Sequence, residues 1–145
     1  MARQDPLRNF RFRLEIGGIH TAGFSEVSIL ETTTDAIDYR EGTDPPHVRK
    51  LSGLTKYGNV VLKRGLSAGA DALDLYHWHA SIVAGSMSRR NVAIVVIGED
   101  GSDQARFVVS DAWPAKYVAG PFNAKSNEVL IESLELVNEG IERAQ

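Results

Sequence analysis

Residues Phe10-Arg-Phe-Arg-Leu-Glu-Ile16 alternate without exception. Phe10, Phe12, Leu14 and Ile16 fall on one side; Arg11, Arg13 and Glu15 fall on the other. An extended chain turns successive side chains to opposite faces, so this period fits a strand with one buried and one wet face. It does not fit a helix, whose apolar stripe returns every three or four residues. The same period recurs along most of the chain, so a mainly β architecture is expected.

Gly17-Gly18 reads as a hairpin turn. Strand character resumes from Ile19 to about Leu30, with Val27 and Ile29 on one face and Glu26 and Ser28 on the other. It continues through Thr32-Thr-Thr34, and Ile37 and Tyr39 then alternate with Ala36, Asp38 and Arg40. Residues 19–40 are therefore two long strands or one long bent ribbon with a solvated polar face. Residues 41–57 change character: two prolines, two glycines and little periodicity predict an irregular arm. Loops that long inside a compact domain usually carry function. Asn59–Arg64 reads as a strand again, with Val60 and Leu62 on one face.

One helix is predicted from about Gly69 to Ala84, with Ser67 as N-cap, Asp71 in the first turn and Gly85 as the stop. Its apolar stripe is Ala72, Leu75, Trp78, His79, Ile82 and Val83. Asn91–Ile97 is apolar on both faces and must be covered on both, by the helix and by a neighbouring sheet or subunit. Glu99-Asp-Gly-Ser102 is a hairpin turn, and Gln104–Val109 returns with Ala105, Phe107 and Val109 aligned. Asp111-Ala-Trp-Pro114 marks a bend, after which Tyr117–Gly120 resumes the strand. Residues 121–126 read as a connector, Asn127–Asn138 as the last strand and 139–145 as a short tail. The result is a mainly β (α+β) fold, a sandwich or open barrel of about seven strands with one flanking helix. The 145 residues fit a single domain, which at this size buries roughly two-thirds of its unfolded surface.

Chemistry is harder to find. The chain has no cysteine, which excludes disulfides, zinc–thiolate sites and thiol catalysis. His77 and His79 stand two apart on the predicted helix, hence about 200° apart, and cannot chelate one ion together. His20 and His47 have no acid or histidine cluster beside them. Gly65-Leu-Ser-Ala-Gly69 lacks the Gly-Lys-Ser/Thr ending of a phosphate loop. Ser25, Ser28 and Ser110 lie in strand patterns without the strand-to-helix elbow of an activated nucleophile. The acids sit at period-2 positions, as on solvated strand faces. No catalytic, metal or cofactor site is predicted. Arg49-Lys50 and Arg89-Arg90 read as solvated edges or intersubunit ion pairs. With 19 acids against 16 bases, stable nucleic-acid binding is disfavoured. No apolar run approaches the ~18 residues of a membrane span, and the start, Met-Ala-Arg-Gln-Asp-Pro, carries no apolar signal core.

Several segments, in order, resemble the tail tube family of contractile phages and related injection machines. They are Asp5-Pro-Leu-Arg-Asn-Phe-Arg-Phe-Arg-Leu14, Ala22-Gly-Phe-Ser-Glu-Val-Ser28, Tyr39-Arg-Glu-Gly42 and Arg49-Lys-Leu-Ser-Gly-Leu-Thr-Lys-Tyr57. Leu62-Lys-Arg-Gly65, the helix with Trp78, Arg89-Arg-Asn91, Ala112-Trp-Pro114, Asn127-Glu-Val129 and Asn138-Glu-Gly140 complete the set. The chain departs at Ile29, where many relatives place glycine.

The resemblance implies a structural subunit and not an enzyme. Six copies would form a ring, each lending strands to one barrel around a lumen, and rings would stack into a tube. A sheath drives such a tube through a target envelope; it starts on a baseplate, and a tape-measure protein sets its length. Phage DNA or a protein effector would pass in transit, with no stable nucleic-acid binding and no membrane insertion by this chain. Assembly would be cytoplasmic, in a particle later released or membrane-anchored. Contacts between subunits or rings are assigned to Tyr39, Arg40, Glu41, Gly42, Arg49, Lys50, Leu54, Lys56, Tyr57 and Trp113. The lumen is assigned to Glu26, Ser28, Thr32, Thr34 and Asp38, which alternate with apolar Val27, Ile29 and Ile37. The arm is expected to order when rings stack. Two other readings stand beside this one: a type VI secretion ring protein, and a small β-sandwich binding module or hydrolase. The arm and Trp113-Pro114 favour the phage-like tube.

Overall fold

The alternating segments become strands in the computed structural model, which describes residues 5–8, 11–17, 24–68, 71–125 and 127–145. The first is β1 (Phe12–Ile16), with Leu14 and Ile16 buried; Phe10 lies outside the described residues. It is followed by β2 (Phe24–Val27), β3 (Thr32–Tyr39), β4 (Arg49–Tyr57) and β5 (Val60–Gly65). Then come α1 (Asp74–Val83), β6 (Arg90–Ile97), β7 (Asp103–Ala119), β8 (Ile131–Val137) and β9 (Gly140–Arg143).

Seven strands form one antiparallel sheet: six follow the path β1-β6-β7-β8-β5-β2, and β9 pairs beside β7. The first half of β7 pairs with β6 and its second half with β8, so this 17-residue strand belongs to both walls. It changes wall at Asp111–Pro114. There Asp111 takes φ 51, its N–H donates to Asn91 Oδ1 (3.1 Å), and the register shifts after Pro114. The expected bend is real, but it lies inside one continuous strand.

The core fills the space between the walls. Leu14, Ile16, Val92, Ile94 and Val109 come from one wall; Val60, Leu62, Leu134 and Leu136 come from the other. Helix α1 adds Leu75 and Trp78, whose indole N–H donates to the Ser88 carbonyl (2.8 Å). Burying each such side chain contributes about 1.5–3 kcal/mol.

Three expectations need correction, and the hairpin expected at Gly17-Gly18 lies partly outside the described residues, which omit 18–23. The helix begins at Asp74 after a 3-10 turn at Asp71–Leu73, with Leu73 in the cap position, so Ser67 is not its N-cap. Val83 is 75 % exposed and off the buried stripe. The tail is not loose: Gly140–Arg143 pairs with β7, and the preceding strand shortens to Ile131–Val137.

The outer face of β6 is shielded within the chain at Val95. Val95 stands between Arg13 and Arg106 in register and is fully buried. Arg13 bridges Glu15 and Asp103 (3.0 Å each), and Arg106 bridges Glu15 (2.9 Å). Their aliphatic stems shield the valine while their heads stay in water. Arg106, then Arg13, holds the Glu15 carboxyl below its ordinary range, and Arg13 does the same to Asp103.

Candidate assembly interface

Among the described residues, strands β3 and β4 pair only with each other, apart from the seven-stranded sheet. They nevertheless prolong it. Between Val27↔Leu62 and Thr32↔Tyr57 the two chains stay in contact, through Ser28 N–H to the Val61 carbonyl (2.9 Å) and Gly58 N–H to the Glu31 carbonyl (2.8 Å). The β2–β5 pair thus runs on as one bent ribbon into the β3–β4 hairpin. The ribbon part of the sequence expectation holds. The arm part changes: the irregular stretch shrinks to 41–48, because 49–57 is strand β4. Its polarity hid it, since a strand wet on both sides shows no apolar period.

Every residue of β3 is exposed, as is most of β4. An isolated two-stranded hairpin is marginal in water, so a covering surface would stabilise this one. Its faces differ. One carries Thr32, Thr34, Ala36 and Asp38 opposite Tyr57, Thr55, Ser52 and Lys50. It is bound together by the Thr34–Thr55 hydroxyl contact (3.0 Å) and the Asp38–Lys50 ion pair. The other carries Ile37, Tyr39 and Leu51, each about half exposed, together with Thr33, Lys56 and Arg49. Gly53 lets Ile37 lie close there; a Cβ at that position would stand 3.1 Å from Ile37 Cδ1. An irregularity in β4 between Ser52 and Thr55 turns Leu54 outward, 73 % exposed.

The tip is organised by Asp44, which the sequence reading did not single out. Its carboxylate accepts from Glu41 N–H (2.7 Å) and pairs with Arg49, and its backbone N–H donates to the Glu41 carbonyl (3.0 Å). Arg40 donates to the Asp44 and Pro45 carbonyls (3.0 and 3.1 Å), and the Tyr39 hydroxyl donates to Glu41 Oε1 (3.0 Å). The signal was available: aspartate before Pro-Pro is a turn residue whose side chain bonds nearby backbone.

Of the assigned contact residues, Tyr39, Arg40, Glu41 and Arg49 meet at this tip. Gly42 is exposed, with open space around it. Lys50, Leu54, Lys56 and Tyr57 lie along β4. Trp113 is elsewhere, half-buried on β7 opposite Val137 where the strand changes wall. Of the assigned lumen residues, Thr32, Thr34 and Asp38 share the polar hairpin face. Glu26 lies on β2 and faces Lys63 (3.8 Å). The Ser28 hydroxyl accepts from Val61 N–H (2.8 Å) and is half-buried on the ribbon's bend.

The basic clusters find partners within the chain. Arg89 reaches Glu139 (3.3 Å), and the Arg90 guanidinium lies 5.3 Å from the centre of the Trp78 ring. His77 is exposed and His79 half-buried. Among the described residues no cluster of three or more metal-ligating side chains occurs, and no helix is long and apolar enough to cross a membrane.

One acid departs from the solvated pattern. Glu132 is 1 % exposed and accepts from Arg64 Nε (2.6 Å) and from the Tyr117 hydroxyl (2.6 Å). Arg64 also donates to the Ala72 carbonyl (3.0 Å), tying the turn before α1 to the sheet. Burial, then the Glu132 carboxylate, pushes the Tyr117 phenol up to about 12. The group is a structural tie that links β5, β7 and β8 to the turn before α1.

No curated protein sequence matches the chain. Among solved structures, a chain of the tube-terminating cap of the anti-feeding prophage is 27% identical at a TM-score of 0.85, covering 99% of this chain and 95% of that one. A chain of the sheath–tube complex of the extracellular contractile injection system PVC, in its extended state, is 24% identical at 0.84, covering 95% and 90%. Hcp1 from Flavobacterium johnsoniae shares the fold at 16% identity and 0.59, covering 92% and 94%. The sequence profile of the T4-like virus tail tube proteins matches residues 8–142, and on that match the chain belongs to the T4-like virus tail tube protein gp19 family.

Proposed function

We propose that this chain is the inner-tube subunit of a contractile injection system or phage-tail-like particle, and acts by assembly and not by catalysis. The observation that carries the reading is the β3–β4 hairpin: a ribbon exposed on both sides, polar on one face and bearing Ile37, Tyr39 and Leu51 among the polar residues of the other. Copies form six-membered rings that stack into a tube. The face with Ile37, Tyr39 and Leu51 is covered by another copy, which removes the hairpin's instability and its open edges. The Thr32–Thr34–Asp38 face turns to the lumen, where hydroxyls and one internal ion pair let cargo pass without sticking. Sheath and baseplate proteins are the outer partners, as in the sheath–tube and baseplate assemblies that contain similar chains. A tape-measure protein sets the length. The particle assembles in the cytoplasm.

Negative-stain electron microscopy with light scattering tests this. Hollow six-fold rings or tubes are expected from the purified chain, alone or on added baseplate. Replacing residues 33–56 by a two-residue turn should leave a folded subunit that forms neither. Tubes assembled by that deletion variant, or a monomer under every condition including added baseplate, overturn the reading.

A further inference from the structure

The β5–β8 ladder runs from Gly65↔Ile131 to Val60↔Leu136, which puts Gly58 opposite Asn138 just past its end. There the contact is made by a side chain: Asn138 Nδ2 donates to the Gly58 carbonyl (3.0 Å). Oδ1 of the same half-buried amide accepts from Gly140 N–H (3.2 Å). The two bonds agree on its orientation, because only the amide NH2 can donate to a carbonyl and only its oxygen can accept from an N–H. The far side of this tie is fixed on the body: Glu139 N–H donates to the Ser110 carbonyl (3.0 Å), and Gly140 begins β9 alongside β7.

Gly58 belongs to the joint where the β2–β5 pair passes into the hairpin. Two stretches outside any strand face each other there, residues 28–31 and 58–59. They approach closely, since a Cβ on Gly58 would stand 3.2 Å from the Glu31 Cβ. The Ser28–Val61 and Glu31–Gly58 bonds of the joint run across the ribbon, from one of its chains to the other. Asn138 instead joins the ribbon to the end of β8.

We propose that Asn138 is a positioning residue: its bond to Gly58 sets the angle at which the β3–β4 hairpin leaves the body, before the hairpin meets any partner. The inference rests on bonds within one chain and does not depend on the tube reading. A ribbon that meets its sheet through residues outside any strand can pivot there. Bonds across the ribbon turn with it and leave the pivot free, whereas a bond from a point fixed on the body opposes the pivot. A neutral hydrogen bond favours its closed geometry by a net factor of about 2–10. A segment already held at one angle loses less freedom when it is later covered.

The chain has no cysteine, so spin labels attach only where a cysteine is introduced. Leu54 on the hairpin, Val83 on α1 and Val118 on β7 are exposed. Pulsed electron paramagnetic resonance on the unassembled subunit, labelled pairwise through Leu54→Cys, Val83→Cys and Val118→Cys, reads two hairpin-to-body distances and one distance within the body. With Asn138 in place each pair should give a single narrow distribution. Asn138→Asp keeps the acceptor for Gly140 N–H but loses the donor to Gly58. It should broaden at least one hairpin-to-body distribution while the Val83–Val118 distance and the protection of the Gly140 amide stay unchanged. The Gly58 N–H should exchange faster by a factor of about 2–10. Asn138→Ala removes both bonds and should free the Gly140 amide as well. Glu139→Ala breaks the Arg89 pair in the same turn but spares the tie, and should leave every distribution narrow. The inference is overturned by hairpin-to-body distributions that are already broad in the wild type, or that stay as narrow in N138D. Equal broadening in E139A overturns it too, as does a Val83–Val118 distribution that broadens in N138D, because the variant would then have loosened the body and not the joint.

Discussion

Replacing Glu132 by leucine keeps a side chain of similar reach but leaves the Arg64 guanidinium buried without its carboxylate. Arg64 is 4 % exposed and Glu132 1 %, so water cannot take over the lost role. Breaking one side of a buried ion pair costs about 3–5 kcal/mol. That is a large share of a typical 5–15 kcal/mol of total stability. It corresponds to a fall of about 10 °C in melting temperature for a chain of this size. Urea unfolding of the unassembled subunit at pH 7, followed by the fluorescence of Trp78 and Trp113, reads the loss directly. Arg64→Met with Glu132→Leu and Tyr117→Phe removes the three side-chain partners at once, and the part-buried Ala72 carbonyl loses one donor. An apolar replacement of a whole buried pair is often neutral or stabilising, so this triple variant should lie within about 1 kcal/mol of wild type. The argument is refuted if E132L alone loses less than about 1 kcal/mol, or if the triple variant falls as far as the single one.

Three more outcomes are expected. Because the folded Tyr117 phenol sits at about 12 and an ordinary phenol at about 10, the unfolded chain loses its proton first. Stability is therefore full below pH ~10 and declines from about pH 10 to 12; Tyr117→Phe should flatten that decline in alkaline urea titrations. Asp44→Ala should speed amide exchange over residues 41–49 without moving the global unfolding midpoint, whereas Gly42→Ala, with nothing within 4 Å of the new methyl, should change neither. Asp111→Gly should hold or raise the midpoint, and Asp111→Val should lower it by about 1–2 kcal/mol, because φ 51 is costly for a branched side chain.

Strands with one dry face were legible from alternation: Leu14 and Ile16, Val60 and Leu62, and Leu134 and Leu136 all fall inward as their period requires. The pairing partners were not, because register depends on residues far apart in sequence; Arg64 and Glu132 are 68 positions apart. Even so, part of that tie was visible. Arg64 shares the parity of Val60 and Leu62, and Glu132 that of Leu134 and Leu136. Two opposite charges on the dry faces of two strands point to a buried pair. Strand β4 was illegible for the opposite reason: wet on both sides, it takes its strand geometry from β3 rather than from its own pattern. At the hairpin tip the family resemblance points to Tyr39, Arg40, Glu41 and Arg49, while Asp44, whose carboxylate ties Glu41 to Arg49, lies in none of the resembling segments.

The continuity of the ribbon also decides how the subunit bears force. Strand β5 is flanked by β2 on one side and β8 on the other, and the hairpin is a direct extension of β5 and β2. The ladder bonds of an antiparallel pair lie across the strands, so a pull on the hairpin along its length loads them side by side, in shear. They must give way together rather than peel one after another. A load along the hairpin therefore reaches the body of the subunit through its strongest mechanical direction, and only a sideways load could unzip it.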